Sequence, residues 1–403
     1  MNRKDSTIRP FSENPDFDFE IRGALGNCAA GAGDPGEILA AVAGVHKGDH
    51  TGWHAAWRGL ADRSFASAAA SAAGGHAVSA AAAYLRASGY YSVAVNAASG
   101  LDDADALTSA FQRQQEAWQG FLDHTVHRVD AVAIPYEDGT LPGWFFRPSE
   151  ANGSTLVVVN GSDGAPASLW ASSAAAALAR GYNVLMFDGP GQQSELFEKS
   201  TSFRPDWEAV LTPVYEFVST LDGVHAEKVA VYGISQGGYW VTRAIAFEHR
   251  FAAAIVDPGV VDVSTSWTGH LPKSLLAVLD SGDVAKFDKE MAFGMKFSPE
   301  TVRTWAFRAR PYGKSGYGET ITAVRQYDAT AFAAQITTPL LILSPDDEQF
   351  WPGQAEQLAR LTPNVSTLMR FTAAEGADQH CQPLARTVTA ERMYDWLDDR
   401  LAG

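Results

Sequence analysis

The sequence is poor in cysteine and carries a large excess of acidic residues. Only Cys28 and Cys381 occur in 403 residues, too few for a disulfide framework, which predicts a reducing compartment. The formal net charge is −16, so the chain lacks the basic surface that nucleic acids and anionic membranes require. We therefore expect neither nucleic acid nor membrane among its partners.

Signals of targeting and of cofactor binding are also missing. The N-terminal segment has no apolar core of a signal peptide, and no run approaches the ~20 apolar residues of a membrane span. The sequence contains no HExxH, CxxC or other histidine and cysteine cluster with metal-ligand spacing, and no GxGxxG after a predicted strand. We expect a cytoplasmic protein without a metal or a dinucleotide cofactor.

Hydrophobic residues make up an ordinary 46%, and their spacing changes near residue 127. Before that point, apolar residues recur every three or four positions in alanine-rich segments, which predicts a helical N-terminal domain over residues 1–126. Over 127–403, short apolar runs alternate with helical patterns, which predicts an α/β domain with a mostly parallel sheet and helices on both faces. The alternation stops at about 263–330, where helical segments predict a cap inserted over the strand ends.

The run from Val229 to Gly238 joins an apolar strand to a helix through G-x-S-x-G. This pattern is typical of a nucleophile elbow, a sharp turn that exposes a serine hydroxyl at the edge of a sheet. A small residue in a tight turn is the alternative for Ser235, because alanine, glycine and serine are abundant in this chain. The strand and helix on either side favour a nucleophile.

A serine nucleophile needs a base and a carboxylate that orients the base, and both follow in the sequence. His380 comes after the last predicted strand, although a surface histidine is the alternative reading of it. The preceding strand ends in three acids, Asp346, Asp347 and Glu348. The order serine, acid, histidine is that of the α/β-hydrolases, so the predicted fold class is the α/β-hydrolase fold.

The identity of the acid stays open between neighbouring residues. Glu348 is favoured because it lies four residues before Pro352, the position of the acid in many such enzymes, and Asp347 is the alternative because strand-end registers slip. Asp257 and Asp262, after an earlier strand, are a minor option.

An oxyanion hole is expected from two backbone N–H groups. One belongs to Gln236, directly after the nucleophile, and the other to Ser162 or Asp163 in the loop after the first central strand. Cys381, beside the histidine, is interpreted as a small buried thiol rather than a nucleophile.

A narrower likeness covers the chain from about Gly36 onward. Over this range, the sequence resembles the α/β-hydrolase group that includes 2,6-dihydroxypseudooxynicotine hydrolase and the fungal polyketide-shortening hydrolases of pigment pathways. The resemblance is carried by GDHTGWHAAWRGLADR, SAAAAYLRASGYY, FDGPGQQSE, FRPDWEAVLTPV, GISQGGYW, DEQFWPGQ and HCQ. One departure is Gln193, which stands where such proteins often have glycine.

The resemblance implies a triad of Ser235, Glu348 and His380, a site between the hydrolase core and the helical domain, and a possible homodimer. It also implies a small-molecule substrate cleaved at a C–C bond beside a ketone, and the same triad chemistry serves an ester. An exopeptidase-like amide hydrolase, and an acyltransferase or cyclase on the same fold, are the alternative functions, because the triad by itself does not set the bond.

Overall fold

The computed structural model describes residues 8–101 and 103–402. Its N-terminal part is helical, and α4 packs against both α3 and α5. The bounds are α1 Pro15–Asn27, α2 Pro35–Val42, α3 His50–Ala73, α4 Ala77–Ala97 and α5 Ala104–His124. None of the helices in the described ranges is long and apolar enough to cross a membrane.

Helix α1 was not predicted from the sequence, although its start carries clear signals. The side chain of Asn14 accepts the N–H groups of Asp16 and Phe17, and Pro15 occupies the first helical position. Asparagine as a cap followed by proline is a typical helix start. Because the segment is polar in composition, its helix, which lines the candidate site, was not recognised from the sequence.

An eight-stranded sheet follows, in the order β1-β2-β4-β3-β5-β6-β7-β8. A hairpin forms its edge, since β1 pairs antiparallel with β2 and β2 with β4, while the remaining neighbours are parallel. The strands are β1 Arg128–Tyr136, β2 Gly139–Arg147, β3 Thr155–Val159, β4 Asn183–Phe187, β5 Val229–Ile234, β6 Ala253–Asp257, β7 Leu340–Pro345 and β8 Ser366–Phe371. The mostly parallel sheet predicted from the alternation is confirmed.

Helices cover both faces of this sheet, which explains the uninterrupted apolar strands. Val157 lies in the core on one face and its neighbour Val158 in the core on the other. The helices are α6 Pro166–Leu169, α7 Ala175–Ala179, α8 Gln193–Phe197, α9 Glu208–Val218, α10 Gly237–Ile245, α11 Thr265–Thr268, α12 Lys273–Asp280, α13 Val284–Met295, α14 Pro299–Ala309, α15 Tyr317–Val324, α16 Gln354–Leu361 and α17 Arg386–Leu401. A π-helical turn, Trp170–Ala174, joins α6 to α7.

Helices α11–α15 lie between β6 and β7, inside the segment predicted as a cap. Helix α14 contacts the turn Ala98–Gly100 of the N-terminal part. Nε2 of His50 lies 2.9 Å from the carboxylate of Glu300 across this contact. The two helical segments therefore meet above the carboxyl ends of the strands.

Candidate active site

Ser235 sits between β5 and α10 in a strained backbone conformation. Its φ is +56°, a region that non-glycine residues rarely adopt, and its N–H donates to the carbonyl of Asp257 at 2.6 Å. A Cβ on Gly233 would collide with the carbonyl of Gly237, and one on Gly237 would lie 2.7 Å from the carbonyl of Asn160. The two glycines of the motif thus allow the turn that holds the serine hydroxyl out from the sheet.

His380 is in hydrogen-bonding contact with this serine. Its Nε2 lies 2.9 Å from Oγ of Ser235, and its Nδ1 lies 2.9 Å from each carboxylate oxygen of Glu348. The backbone N–H of His380 donates to Oε1 of Gln349 at 2.9 Å. The histidine is only 3% exposed, and hydrogen bonds on both nitrogens hold its ring in place.

Glu348 stays ionised although it is buried. Burial acts to raise the pKa of Glu348, but the charge and hydrogen bond of His380 and the N–H groups of Phe350 and Trp351 lower it below its usual value. Those two N–H groups donate to Oε1 at 2.9 and 3.2 Å. A buried carboxylate with a lowered pKa can stabilise an imidazolium on His380.

The other acids considered from the sequence have different partners. Asp346 pairs with Arg370 at 2.7 Å on the surface, and the N–H of Asp347 donates to the carbonyl of Asp378 at 2.7 Å. Asp262 accepts the N–H of Ser264 at 2.8 Å. The structure brings Glu348, not these residues, against the Nδ1 atom of the histidine.

Asp257 is fully buried behind the site. Its carboxylate accepts the side-chain amide of Gln382 at 2.9 Å and the hydroxyl of Tyr232 at 3.2 Å. Burial raises the pKa of Asp257. This acid joins β6 to the segment that follows the histidine rather than orienting the ring.

The loop after β3 lies directly against the serine. A Cβ on Gly161 would come within 2.9 Å of Cβ of Ser235. The loop is therefore closest to the serine at Gly161, and Ser162 and Asp163 are the next two residues of the chain. The Ser162 hydroxyl donates to Oδ1 of Asp163 at 3.2 Å. The backbone N–H of Gln236 makes no hydrogen bond to any other residue of the described ranges, which leaves it available to a substrate oxygen.

Cys381 is a buried thiol beside the histidine. Its Sγ lies 3.2 Å from the carbonyl of Asp257 and 3.3 Å from Nε2 of His380. Burial, followed by the charges of Asp257 and Glu348, raises the pKa of the thiol well above its usual value. A thiol held in its neutral form is a poor nucleophile.

A cavity of about 290 Å³ opens above the hydroxyl of Ser235. Aromatic side chains form much of its wall, and the ring of Phe350 meets that of His380 edge-on with centroids 4.7 Å apart. The guanidinium of Arg308 on α14 also lines it, 4.5 Å above the ring of Trp267. The size and apolar lining fit a small organic molecule.

The residue that departs from the family pattern ties the N-terminal helices to the site. Gln193 has a φ of +35°, which explains why glycine suits this position. Its side-chain oxygen accepts the amide of Gln114 on α5 at 2.7 Å, and both residues are buried. Gln193 itself lines the cavity.

Several cavity residues were not found from the sequence. Asp16, Phe19 and Glu20 of α1 line the cavity, and so does Trp53 of α3, which also packs in the core of the N-terminal helices. The helix signals at Asn14 predict that α1 forms, but no pattern in the sequence shows which other elements this helix contacts. Among residues 8–101 and 103–402, no group of three or more His, Cys, Asp or Glu is arranged to hold a metal ion.

Residues 156–391 match the model of the Alpha/beta hydrolase family. The chain is 29% identical to hydrolase LUC6 of Fusarium sp, covering 95% of this chain and 96% of that protein. It is 28% identical to 20-hydroxy-prefusarin hydrolase FUS2 of Gibberella moniliformis, covering 96% of each.

A solved structure, 2,6-dihydroxy-pseudo-oxynicotine hydrolase, is similar with a TM-score of 0.73 at 19% identity, covering 93% of this chain and 95% of that one. At that identity the likeness shows the fold alone. Together with the fungal relatives, it bears out the resemblance seen in the sequence.

Proposed function

Since the chain belongs to the alpha/beta hydrolase family, we propose that it cleaves a small organic carbonyl compound with Ser235 as nucleophile, His380 as base and Glu348 as orienting acid. The observation that carries the proposal is the continuous chain of 2.9 Å contacts from Oγ of Ser235 through the imidazole to Glu348. A hydroxyl, an imidazole and a buried carboxylate in this order form the constellation that activates a serine.

In the first step, Nε2 of His380 takes the proton of Ser235 while Oγ attacks the substrate carbonyl carbon. The oxyanion that forms accepts the N–H of Gln236 and an N–H from the loop at Ser162 and Asp163. Glu348 holds the proton on Nδ1 and stabilises the imidazolium.

The intermediate then expels the leaving group, which takes the proton from Nε2, and an acyl-enzyme remains. Water attacks that acyl group while His380 again accepts a proton. The second tetrahedral intermediate collapses to a carboxylic acid and returns the proton to Oγ, so no cofactor is needed.

We infer that the bond cleaved is an ester or a C–C bond beside a ketone. For the C–C bond, the leaving group departs as an enolate that His380 protonates, and the rest of the path is the same. The enclosed aromatic cavity supports a compact organic substrate rather than a peptide. The name of one relative, 20-hydroxy-prefusarin hydrolase, agrees with hydrolysis of an organic compound.

We also propose that residues 1–126, of which 1–7 and 102 lie outside the described residues, form a helical domain and that residues 263–330 form a cap. Their contact at α14 and the Ala98–Gly100 turn supports a roof above the cavity. A roof of this kind excludes bulk water, which strengthens the electrostatic interactions that stabilise an oxyanion. A cytoplasmic location and a homodimer stay predictions.

Labelling of the serine tests the proposal. The wild-type protein and Ser235→Ala are treated with a fluorophosphonate, and the adduct is read by intact mass. One adduct on the wild type and none on Ser235→Ala supports the proposal, whereas an adduct that survives the substitution contradicts it. A panel of aryl esters, β-diketones and aryl ketones then identifies the bond.

A further inference from the structure

A second, smaller cavity reaches the same serine. Its volume is about 160 Å³, and it shares Ser235, His380 and Asp163 with the larger cavity. Its own walls come from α1 and α4 on one side and from the loops after β3 and after His380 on the other. We call it the inner chamber.

Polar groups mark the junction of the two cavities. Glu20 and Asn96 line both, and Oε1 of Glu20 accepts the side-chain amide of Asn96 at 3.0 Å, which links α1 to α4. Burial, together with the charges of Asp163 and Asp16, raises the pKa of Glu20 to about 7. A protonated Glu20 has an O–H to donate to an oxygen of a substrate that passes between the cavities.

One face of α1 forms the wall of the inner chamber. Phe19, Gly23 and Asn27 are four residues apart and all line it, as expected for one side of a helix. Gly23 is at the centre of this face, and a Cβ there would meet no heavy atom within 4 Å. The space beside Gly23 is therefore open to a side chain or to a ligand.

The volume of the chamber limits what enters it. A cavity of roughly 150 Å³ is large enough for benzene, so this chamber suits a fragment of similar size. Its walls include glycine, alanine and serine residues from α1, α4 and α6. The polar junction suits a fragment with an oxygen near the reacting carbonyl.

We propose that the inner chamber is a subsite that receives one of the two fragments flanking the reacting carbonyl, a short chain or single ring with an oxygen substituent. The larger cavity holds the other fragment, so the substrate lies across Ser235 with one end in each cavity. This inference rests on the proposed function and adds the division of the substrate. Gly23 acts as a specificity-determining position.

Fluorophosphonates of graded length test this division in the full-length protein. In one series the alkyl group on phosphorus grows from methyl to octyl, and in the other the alkoxy group does. The variants are Gly23→Leu, which fills the chamber, and Gly59→Leu as the matched control. Gly59 is also within a helix, lines neither cavity, and a Cβ there meets only the end of Arg63, at 3.5 Å.

We expect Gly23→Leu to slow labelling by the longer members of one series at least about tenfold relative to the methyl member. In the Gly23→Leu variant, the labelling rates of the other series should depend on probe length as they do in the wild type. In the Gly59→Leu variant, both series should keep the wild-type dependence on probe length. Equal slowing of all probes, or an unchanged length profile in both series, overturns the inference. Failure of the wild type to be labelled at all, even by the methyl member, instead overturns the proposed function.

Discussion

Nδ1 of His380 lies 2.9 Å from both carboxylate oxygens of Glu348, while the adjacent Asp347 gives its backbone N–H to Asp378 on the neighbouring loop. The two acids are consecutive in the sequence, yet only one of them meets the imidazole. This relationship underlies the first prediction.

Glu348→Gln should lower kcat at least about a hundredfold, because a neutral amide neither holds the proton on Nδ1 nor stabilises the imidazolium. The matched control is Asp347→Asn, which should stay within about threefold of the wild type. Steady-state hydrolysis of an ester substrate measures both. A larger loss of kcat in the Asp347 variant than in the Glu348 variant would contradict the proposal, because Asp347 would then be the residue that orients the histidine.

Gly161→Ala should lower kcat/KM at least about tenfold, because its Cβ would lie 2.9 Å from Cβ of Ser235 and 3.2 Å from the carbonyl of Ile234. Relief of that contact moves the loop that carries Ser162 and Asp163. The control is Gly139→Ala in the β1–β2 hairpin, where a Cβ meets nothing within 4 Å. Equal activity of the two variants would show that the position of this loop does not matter.

Glu20 should make stability fall as the pH rises. Burial raises the pKa of Glu20 to about 7, so between about pH 4.5 and 7 the folded state keeps a proton that the unfolded state has lost. Stability contributed by this proton is complete below that window and lost above it. Because solvent in the cavity screens the charge, we expect the free energy of unfolding to fall by on the order of 1–2 kcal/mol across this window.

Glu20→Gln removes this dependence, because the amide is neutral at every pH and still accepts the bond from Asn96. Urea unfolding at about pH 5 and about pH 8 should show a smaller drop for the variant than for the wild type. Glu13→Gln, on the exposed surface, should keep the wild-type drop. Parallel curves for all three proteins would mean that Glu20 is ionised throughout.

Arg308→Met should stabilise the protein by on the order of 1 kcal/mol. The guanidinium donates to Oγ of Ser266 at 2.9 Å, but no carboxylate of the described residues lies within 4 Å of it, and burial lowers the pKa of Arg308. Methionine keeps contact with Trp267 without the half-buried, unpaired charge.

The same variant should lose more kcat/KM for an ester that carries a carboxylate than for its neutral methyl ester, because a half-buried cation favours an anion in the cavity. Arg308→Lys retains the charge and serves as the control in both measurements. Thermal unfolding and the ratio of the two kcat/KM values check the prediction. A lower stability of the methionine variant, with an unchanged ratio, would contradict it.

The sequence by itself determined the fold and pointed to Ser235 as the candidate nucleophile. Strands of the parallel sheet are continuous apolar runs because both faces are buried, and the elbow at Ser235 is encoded by consecutive residues whose glycines relieve local contacts. These features depend on neighbours along the chain. The order of serine, acid and histidine follows from the order of the strands and was equally readable.

Only the tertiary structure decided which acid meets the histidine and which helices enclose the site. Glu348 and Asp347 follow the same strand, and the pairing of Asp347 with Gln379 on another loop decides which carboxylate turns toward His380. Helix α1 is about 210 residues from Ser235 along the chain, so no local pattern reveals that Glu20 and Gly23 line cavities that reach Ser235. Long-range packing determines such contacts, and a single sequence carries no spacing rule for them.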